Sequence, residues 1–248
     1  MKKIALFLAA GAMSLGLRVA SASAGGVVEV KVQVDPDQTS LIDPSKDGKE
    51  KRKIYYYDTA ALDFYKKGVI MRGRVKEDGE DDFTVKIRPL DEGNPPPDFV
   101  ANLRNMPGIT CESDQVIGQA AVESCELKSK VEKNRVGEKD AAKLFSKEQL
   151  QLIDMMGFKK LPDLSELKAL GPTKAHVWEH KNKCLDKTLS VEVWTLPEKT
   201  IAEISTRFDM SERGYEKTFV NCIKDEGINT DHPQAMKTRE ALEAFSHD

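Results

Sequence analysis

The sequence predicts an α+β protein built on an eight-stranded antiparallel, tunnel-like β-barrel with inserted and C-terminal helices. About eight segments alternate with the period of two that strands require, and their short connections suit antiparallel neighbours. Several of these segments set charged residues on one face and apolar residues on the other. A sheet of this size either closes into a barrel or splits into a sandwich, and charge recurring along one face favours a barrel with a hydrophilic interior.

The N-terminus has the three parts of a secretory signal: Lys2 and Lys3, an apolar run from Ile4 to Leu17, and Ala22-Ser23-Ala24 as a small-residue cleavage site. The run is short for a bilayer span. Residues 1–24 are therefore expected to be removed, leaving residues 25–248 as a single exported domain, periplasmic or extracellular, with no stable membrane insertion. The formal net charge of −3 becomes three units more negative once Lys2, Lys3 and Arg18 leave. That balance argues against a specific nucleic-acid partner, although a local basic cluster can still take an anion. Four cysteines in an exported chain favour disulfides. Of the three pairings open to them, Cys111 with Cys125 and Cys184 with Cys222 are favoured, the first by sequence proximity and the second because it ties a late strand to the C-terminal helices.

Val27 to Val34 alternates strictly, with Val28, Val30, Val32 and Val34 on one face and Glu29, Lys31 and Gln33 on the other. The charged, turn-rich stretch that follows reads as a solvated loop up to Lys53. Ile54 to Tyr57 is a short strand, and Asp58 or Thr59 then caps a helix over residues 60–67 that stops at Gly68. Val69 to Lys76 and Phe83 to Arg88 form a hairpin across an acidic, glycine-containing turn. EGNPPPDF breaks the pattern, and a helix or irregular segment runs on to Pro107. A long or bent strand covers residues 118–132. Ser146 and Gln149 form a capping box for a helix over 147–156, and residues 162–170 read as a short helix ended at Gly171-Pro172. Three strands follow, over 174–181, 188–196 and 200–208. A second capping box, Asp209 to Glu212, opens a helix to about Asp225, and a last helix spans 232–245.

The hairpin is chemically the most informative element. Arg72 and Arg74 are two residues apart, as are Lys86 and Arg88, so each pair leaves one face of its strand. Four cations on adjacent strands repel one another unless an anion, carboxylates or bulk water face them. A solvated sheet face and an anion site are both open on this pattern alone, and Lys128 and Lys130 either extend the same surface or lie on an exposed edge. His176, His180 and Cys184 recur every four residues, but on a strand that spacing of about 13 Å is too long for one zinc ion. Trp178 and Trp194 read as packing or rim residues.

YYYDTAALDFYKKGVIMRGR followed by FTVKIR resembles the CYTH domain, the superfamily of triphosphate tunnel metalloenzymes. That superfamily includes class IV adenylyl cyclases, thiamine triphosphatases, inorganic tripolyphosphatases and fungal RNA 5′-triphosphatases. Val27-x-Glu29-x-Lys31 stands where the family has Glu-x-Glu-x-Lys, and VEVW and IAEIS stand where it has late acidic strands. The resemblance implies a small phosphorylated anion or polyphosphate as ligand. It implies phosphate contacts from Lys31, Arg72, Arg74, Lys86 and Arg88, and a Mg²⁺ or Mn²⁺ ion held by Glu29, Glu192 and Glu203. Arginine matches phosphate bidentately, and carboxylates suit such hard cations. Val27 replaces the first glutamate of the motif, and Ser205 stands where a second acid follows Glu203. Two readings therefore remain: a metal-dependent triphosphatase, or a non-catalytic polyanion-binding or structural module that keeps the barrel without a complete metal site. Export argues against a cyclase, because nucleoside triphosphates are scarce outside the cytoplasm.

Overall fold

The computed structural model describes residues 26–42, 49–88, 99–137, 140–156 and 164–246. The secretory-signal segment and most of the proline-rich run lie outside them. Nine strands are formed: β1 (Val27–Val34), β2 (Glu50–Asp58), β3 (Val69–Lys76), β4 (Asp81–Ile87), β5 (Ile109–Val116), β6 (Val122–Val131), β7 (Lys168–Asn182), β8 (Lys187–Thr195) and β9 (Thr200–Asp209). They close into a barrel in the order β1-β5-β6-β4-β3-β2-β7-β8-β9, with β9 returning to β1. Among the described residues four α-helices accompany them: α1 (Phe99–Arg104), α2 (Lys147–Met155), α3 (Tyr215–Asp225) and α4 (Lys237–Ser246).

The barrel therefore has nine strands rather than the expected eight, and it is mixed rather than antiparallel. The two corrections are one. A closed ring with an odd number of strands cannot alternate direction throughout, so at least one pair must run parallel; here that pair is β1 with β5. The strand that the sequence reading missed is β5, ITCESDQV, which carries polar residues on both faces and so lacks the apolar alternation that marks a half-buried strand.

Four further expectations are corrected. Residues 162–170 do not form a helix: a 3-10 turn at Leu164–Glu166 leads directly into β7. β7 runs through Gly171-Pro172 opposite a register shift between Ile54 and Tyr56, the irregular position where a strand tolerates a residue with no N–H to donate. Gly171 is required there, since a Cβ would lie 2.8 Å from the Ile54 carbonyl oxygen. Residues 60–67 form turns and a 3-10 segment, not an α-helix, although Asp58 accepts hydrogen bonds from the backbone N–H of Thr59, Phe64 and Tyr65. The stretch expected to be loop up to Lys53 contains a 3-10 helix at Pro36–Ile42, and β2 begins at Glu50. The box at Asp209 to Glu212 makes its local hydrogen bonds, but α3 starts later, beyond Gly214 in the left-handed conformation.

The packing inverts that of an ordinary small barrel, whose interior is apolar. Val28, Val30, Val32 and Val34 are fully buried on the outside of β1, in a cluster with Ile204, Phe208 and the α3 residues Phe219 and Ile223. Met71, Phe83, Val85 and Leu127 pack outward beneath α1 and α2. A third cluster joins Ile54, Tyr56, Ile70, Trp194 and Ile201 to Ala241 and Leu242 of α4. In the first two clusters the apolar faces of the strands meet helices outside the barrel, whereas Ile54, Ile70 and Trp194 of the third point inward beside α4 and line a lumen whose remaining wall is largely charged. The structure joins Cys111 to Cys125 across β5 and β6, and Cys184 to Cys222 between the β7–β8 turn and α3. No helix among the described residues is long and apolar enough to cross a membrane.

Candidate functional site: a charged lumen

Period-two alternation brings one side chain in two from each strand into a common cavity of about 310 Å³. All eight charged residues singled out in the sequence line it: Glu29 and Lys31 from β1, Arg72 and Arg74 from β3, Lys86 from β4 with Arg88 just beyond it, Glu192 from β8 and Glu203 from β9. Arg52, Glu112, Glu126, Arg207 and Lys237 join them. Lys128 reaches Asp82 at 3.5 Å, whereas Lys130 is exposed and pairs with Glu80.

One central counter-ion of the site was not foreseen. Asp114, on the unrecognised β5, is completely buried and serves as counter-ion to Lys31, to Lys86 at 2.7 Å and to Arg88 at 3.5 Å, while Ser124 Oγ donates to it at 2.9 Å. Burial opposes its ionisation, but those three cations outweigh burial and hold its carboxyl well below the usual range. Glu29 pairs with Lys31 at 2.8 Å and with Arg207 at 3.4 Å, and Arg207 also meets Glu112 at 3.1 Å. On the opposite wall Asp82 pairs with Arg74 at 2.8 Å and Lys76 at 3.2 Å.

Arg72 differs from all of these. Among the described residues its guanidinium has no ion-pair or hydrogen-bond partner, and its Nε is buried. Burial opposes its charge, but Tyr56 and the carboxylates of Glu126, Asp82 and Glu192 around it outweigh burial and raise its pKa. Thr84, directly across the β3–β4 ladder, has a buried hydroxyl that is also unpartnered. Two adjacent donors lacking an acceptor are a costly arrangement in a folded protein. Around them the wall is over-charged: burial together with repulsion from neighbouring cations lowers the pKa of Lys86, Arg74 and Lys128.

The three acids expected to share a metal are divided between two levels of the lumen. Glu192 and Glu203 stand opposite each other across β8 and β9, whereas Glu29 pairs in register with Arg207, four residues further along β9 than Glu203. Lys237, from α4, sits between the first two, with Nζ 2.6 Å from Glu192 and 2.8 Å from Glu203 and lying 4.8 Å over the Trp194 ring. Trp194 Nε1 donates to Glu192 at 2.8 Å. Burial opposes the ionisation of Glu192, but the Lys237 ammonium and these hydrogen bonds outweigh it and hold the carboxyl at about 2. Burial wins at Glu203, whose pKa is raised despite Lys237 and Lys31. At the other level Glu29, Glu112 and Asp114 can each offer an oxygen within 4.8 Å of the others, close enough to hold a cation. Lys31 already links Glu29 to Asp114 there.

The solved structure of an adenylyl cyclase candidate from Hippeastrum, described as having a dominant triphosphatase activity, superposes with a TM-score of 0.59 at 14% identity, covering 88% of this chain and 95% of its own. An adenylate cyclase candidate from Bacillus halodurans superposes at 0.56 with 18% identity, over 87% of this chain and 96% of its own. This chain has the CYTH, or triphosphate tunnel, fold. At these identities the likeness concerns the fold alone. No protein-family model matches the sequence, and no curated protein matches it. Within the CYTH fold, Arg52, Asp114 and Lys237 are among the lumen residues that sequence reasoning missed, as are Glu112 and Arg207. Arg52 lay in a stretch read as loop, Asp114 on a strand without apolar alternation, and Lys237 on a helix with no pattern pointing inward. His176 and His180 share no site, since His180 instead faces Glu226 at 3.3 Å.

Proposed function

We propose that this chain is exported and captures a triphosphate or short polyphosphate in the barrel lumen, with Arg72, Arg74, Lys86, Arg88 and Lys31 as its phosphate contacts. The observation that carries this is the unpartnered Arg72 guanidinium beside the unpartnered Thr84 hydroxyl on an over-charged wall. The guanidinium can only donate and the hydroxyl can donate beside it, so an acceptor satisfies both, and the depressed lysines favour one with several negative charges. The triphosphatase activity described for the Hippeastrum protein of the same fold supports a chain of phosphates as that acceptor.

Hydrolysis is the second reading. If a divalent ion is bound, Glu29, Glu112 and Asp114 are the group that would hold it, and it would supply electrophilic stabilisation of the phosphoryl oxygens. Lys237 between Glu192 and Glu203, and Val27 in place of a carboxylate, favour capture without turnover. Calorimetric titration with tripolyphosphate tests capture, and phosphate release in Mg²⁺ or Mn²⁺ tests hydrolysis. Saturable binding that Arg72→Met abolishes is the expected result. Absence of binding with and without metal leaves an internally neutralised structural barrel.

A further inference from the structure

Two buried carboxylates facing each other across a ladder repel unless a cation lies between them. In this chain that cation is part of the protein. Lys237 reaches both Glu192 and Glu203 at hydrogen-bond distance, with a side chain only 15% exposed. A divalent ion at the same pair would need the same oxygens at about 2.0–2.1 Å, with further ligands completing an octahedron. Glu192 already accepts from Trp194 as well.

Lys237 is also firmly held. The Gln234 side chain bonds the β1 backbone at both Gln33 groups, accepting from its N–H at 2.8 Å and donating to its carbonyl at 2.8 Å. That amide continues the ladder beyond the point where β5 ends. Gln33 donates in turn to Glu240 at 2.6 Å, which also takes Lys199 at 2.7 Å. Ala241 and Leu242 are buried beneath the same helix. Withdrawing the ammonium would therefore leave two buried carboxylates unmatched or require α4 to leave its seat.

We propose that the Lys237 ammonium is a permanent replacement for a divalent cation at the Glu192–Glu203 pair, so that the lumen takes its anion with no metal there. This rests on the polyphosphate reading only for the anion; the exclusion of metal from the pair stands apart from it. The test is a Mn²⁺ titration followed by electron paramagnetic resonance on the wild-type chain, K237M, E203Q and K237M/E203Q, each also melted with and without Mn²⁺. K237M should gain one bound Mn²⁺ over the wild type and melt higher with Mn²⁺ than without, and K237M/E203Q should lose both effects. Any Mn²⁺ held at Glu29, Glu112 and Asp114 is common to all four proteins and cancels. A wild-type Mn²⁺ site lost in E203Q, or no added site in folded K237M, overturns the proposal.

The second arm titrates tripolyphosphate in EDTA. The wild type should bind, K237M should bind about tenfold more weakly, and Mn²⁺ should restore K237M. Wild-type binding that appears only with Mn²⁺ and depends on Glu203 overturns the proposal. Absence of tripolyphosphate binding under all conditions overturns the capture reading and leaves the Mn²⁺ result to decide the role of Lys237.

Discussion

Replacing Arg72 with methionine separates a ligand-binding arginine from a structural one. Lys31, Arg74, Lys86 and Arg88 each have a carboxylate within 3.5 Å, so removing any of them takes a counter-ion from a buried acid. Arg72 has none, and its buried Nε forfeits a hydrogen bond in the free protein. Losing that unsatisfied donor recovers about 1 kcal/mol or more, while losing the attraction of Glu126, Asp82 and Glu192 from a distance costs a similar amount. The net change in stability should stay within about 1 kcal/mol, or roughly 2–4 °C in melting temperature for a domain of this size. In the proposed complex the same guanidinium would make charge-assisted bonds to phosphate of about 1.5–3 kcal/mol, so Arg72→Met should weaken tripolyphosphate binding roughly 10- to 100-fold. Calorimetry and thermal melts on the same samples read both quantities. A variant that melts far lower yet binds as tightly would show that Arg72 supports the barrel and does not hold the ligand.

Asp114→Asn should be the opposite case: it leaves Lys31, Lys86 and Arg88 without their shared counter-ion, a loss of about 3–5 kcal/mol. Tripolyphosphate should then raise the melting temperature of D114N more than that of the wild type, and an equal rise in both would place the anion elsewhere. Stability should also fall in acid. Glu192, Glu29 and Asp114 have lowered pKa values, so the stability they give is present above their unfolded pKa and is lost as pH falls through the folded values. Glu192 alone, held near 2 against an ordinary 4.5, contributes roughly 3 kcal/mol. Glu203, with its raised pKa, acts in the opposite sense and offsets part of this. Denaturant midpoints between pH 6 and pH 2.5 should therefore drop steeply below about pH 4.5 in the wild type and less in E192Q; equal curves would remove Glu192 from this account. Replacing Cys184 and Cys222 with serine should cost about 3–4 kcal/mol in urea unfolding, given the 38-residue separation they span, without changing tripolyphosphate affinity.

The barrel and the cation wall were legible in the sequence because both rest on period two. Val28 to Val34 and the paired Arg72/Arg74 and Lys86/Arg88 show their faces without tertiary information. What stayed hidden was whatever lacked that contrast. β5 carries Ser113 and Gln115 outward, where Gln115 bonds Tyr215 at 2.7 Å and Glu216 at 2.7 Å on α3, so its outer face is polar like its inner one. With β5 went Asp114 and Glu112, and with them the hub of the lumen's electrostatics. Gly171-Pro172 read as a helix stop because the bulge that accommodates it depends on the register of β2, more than a hundred residues earlier. Lys237 was hidden because the surface it serves is built from β8 and β9, and only the docking of α4 directs it inward.

Whether the lumen grips phosphate through Arg72 and its neighbours is decided by a crystal structure of the wild-type chain grown with tripolyphosphate in EDTA. A phosphate should lie within hydrogen-bond distance of Arg72 Nε and Thr84 Oγ1, with the remaining phosphates running toward Lys86 and Lys31. A lumen with Arg72 still unpartnered and tripolyphosphate bound only on the outer surface would contradict it.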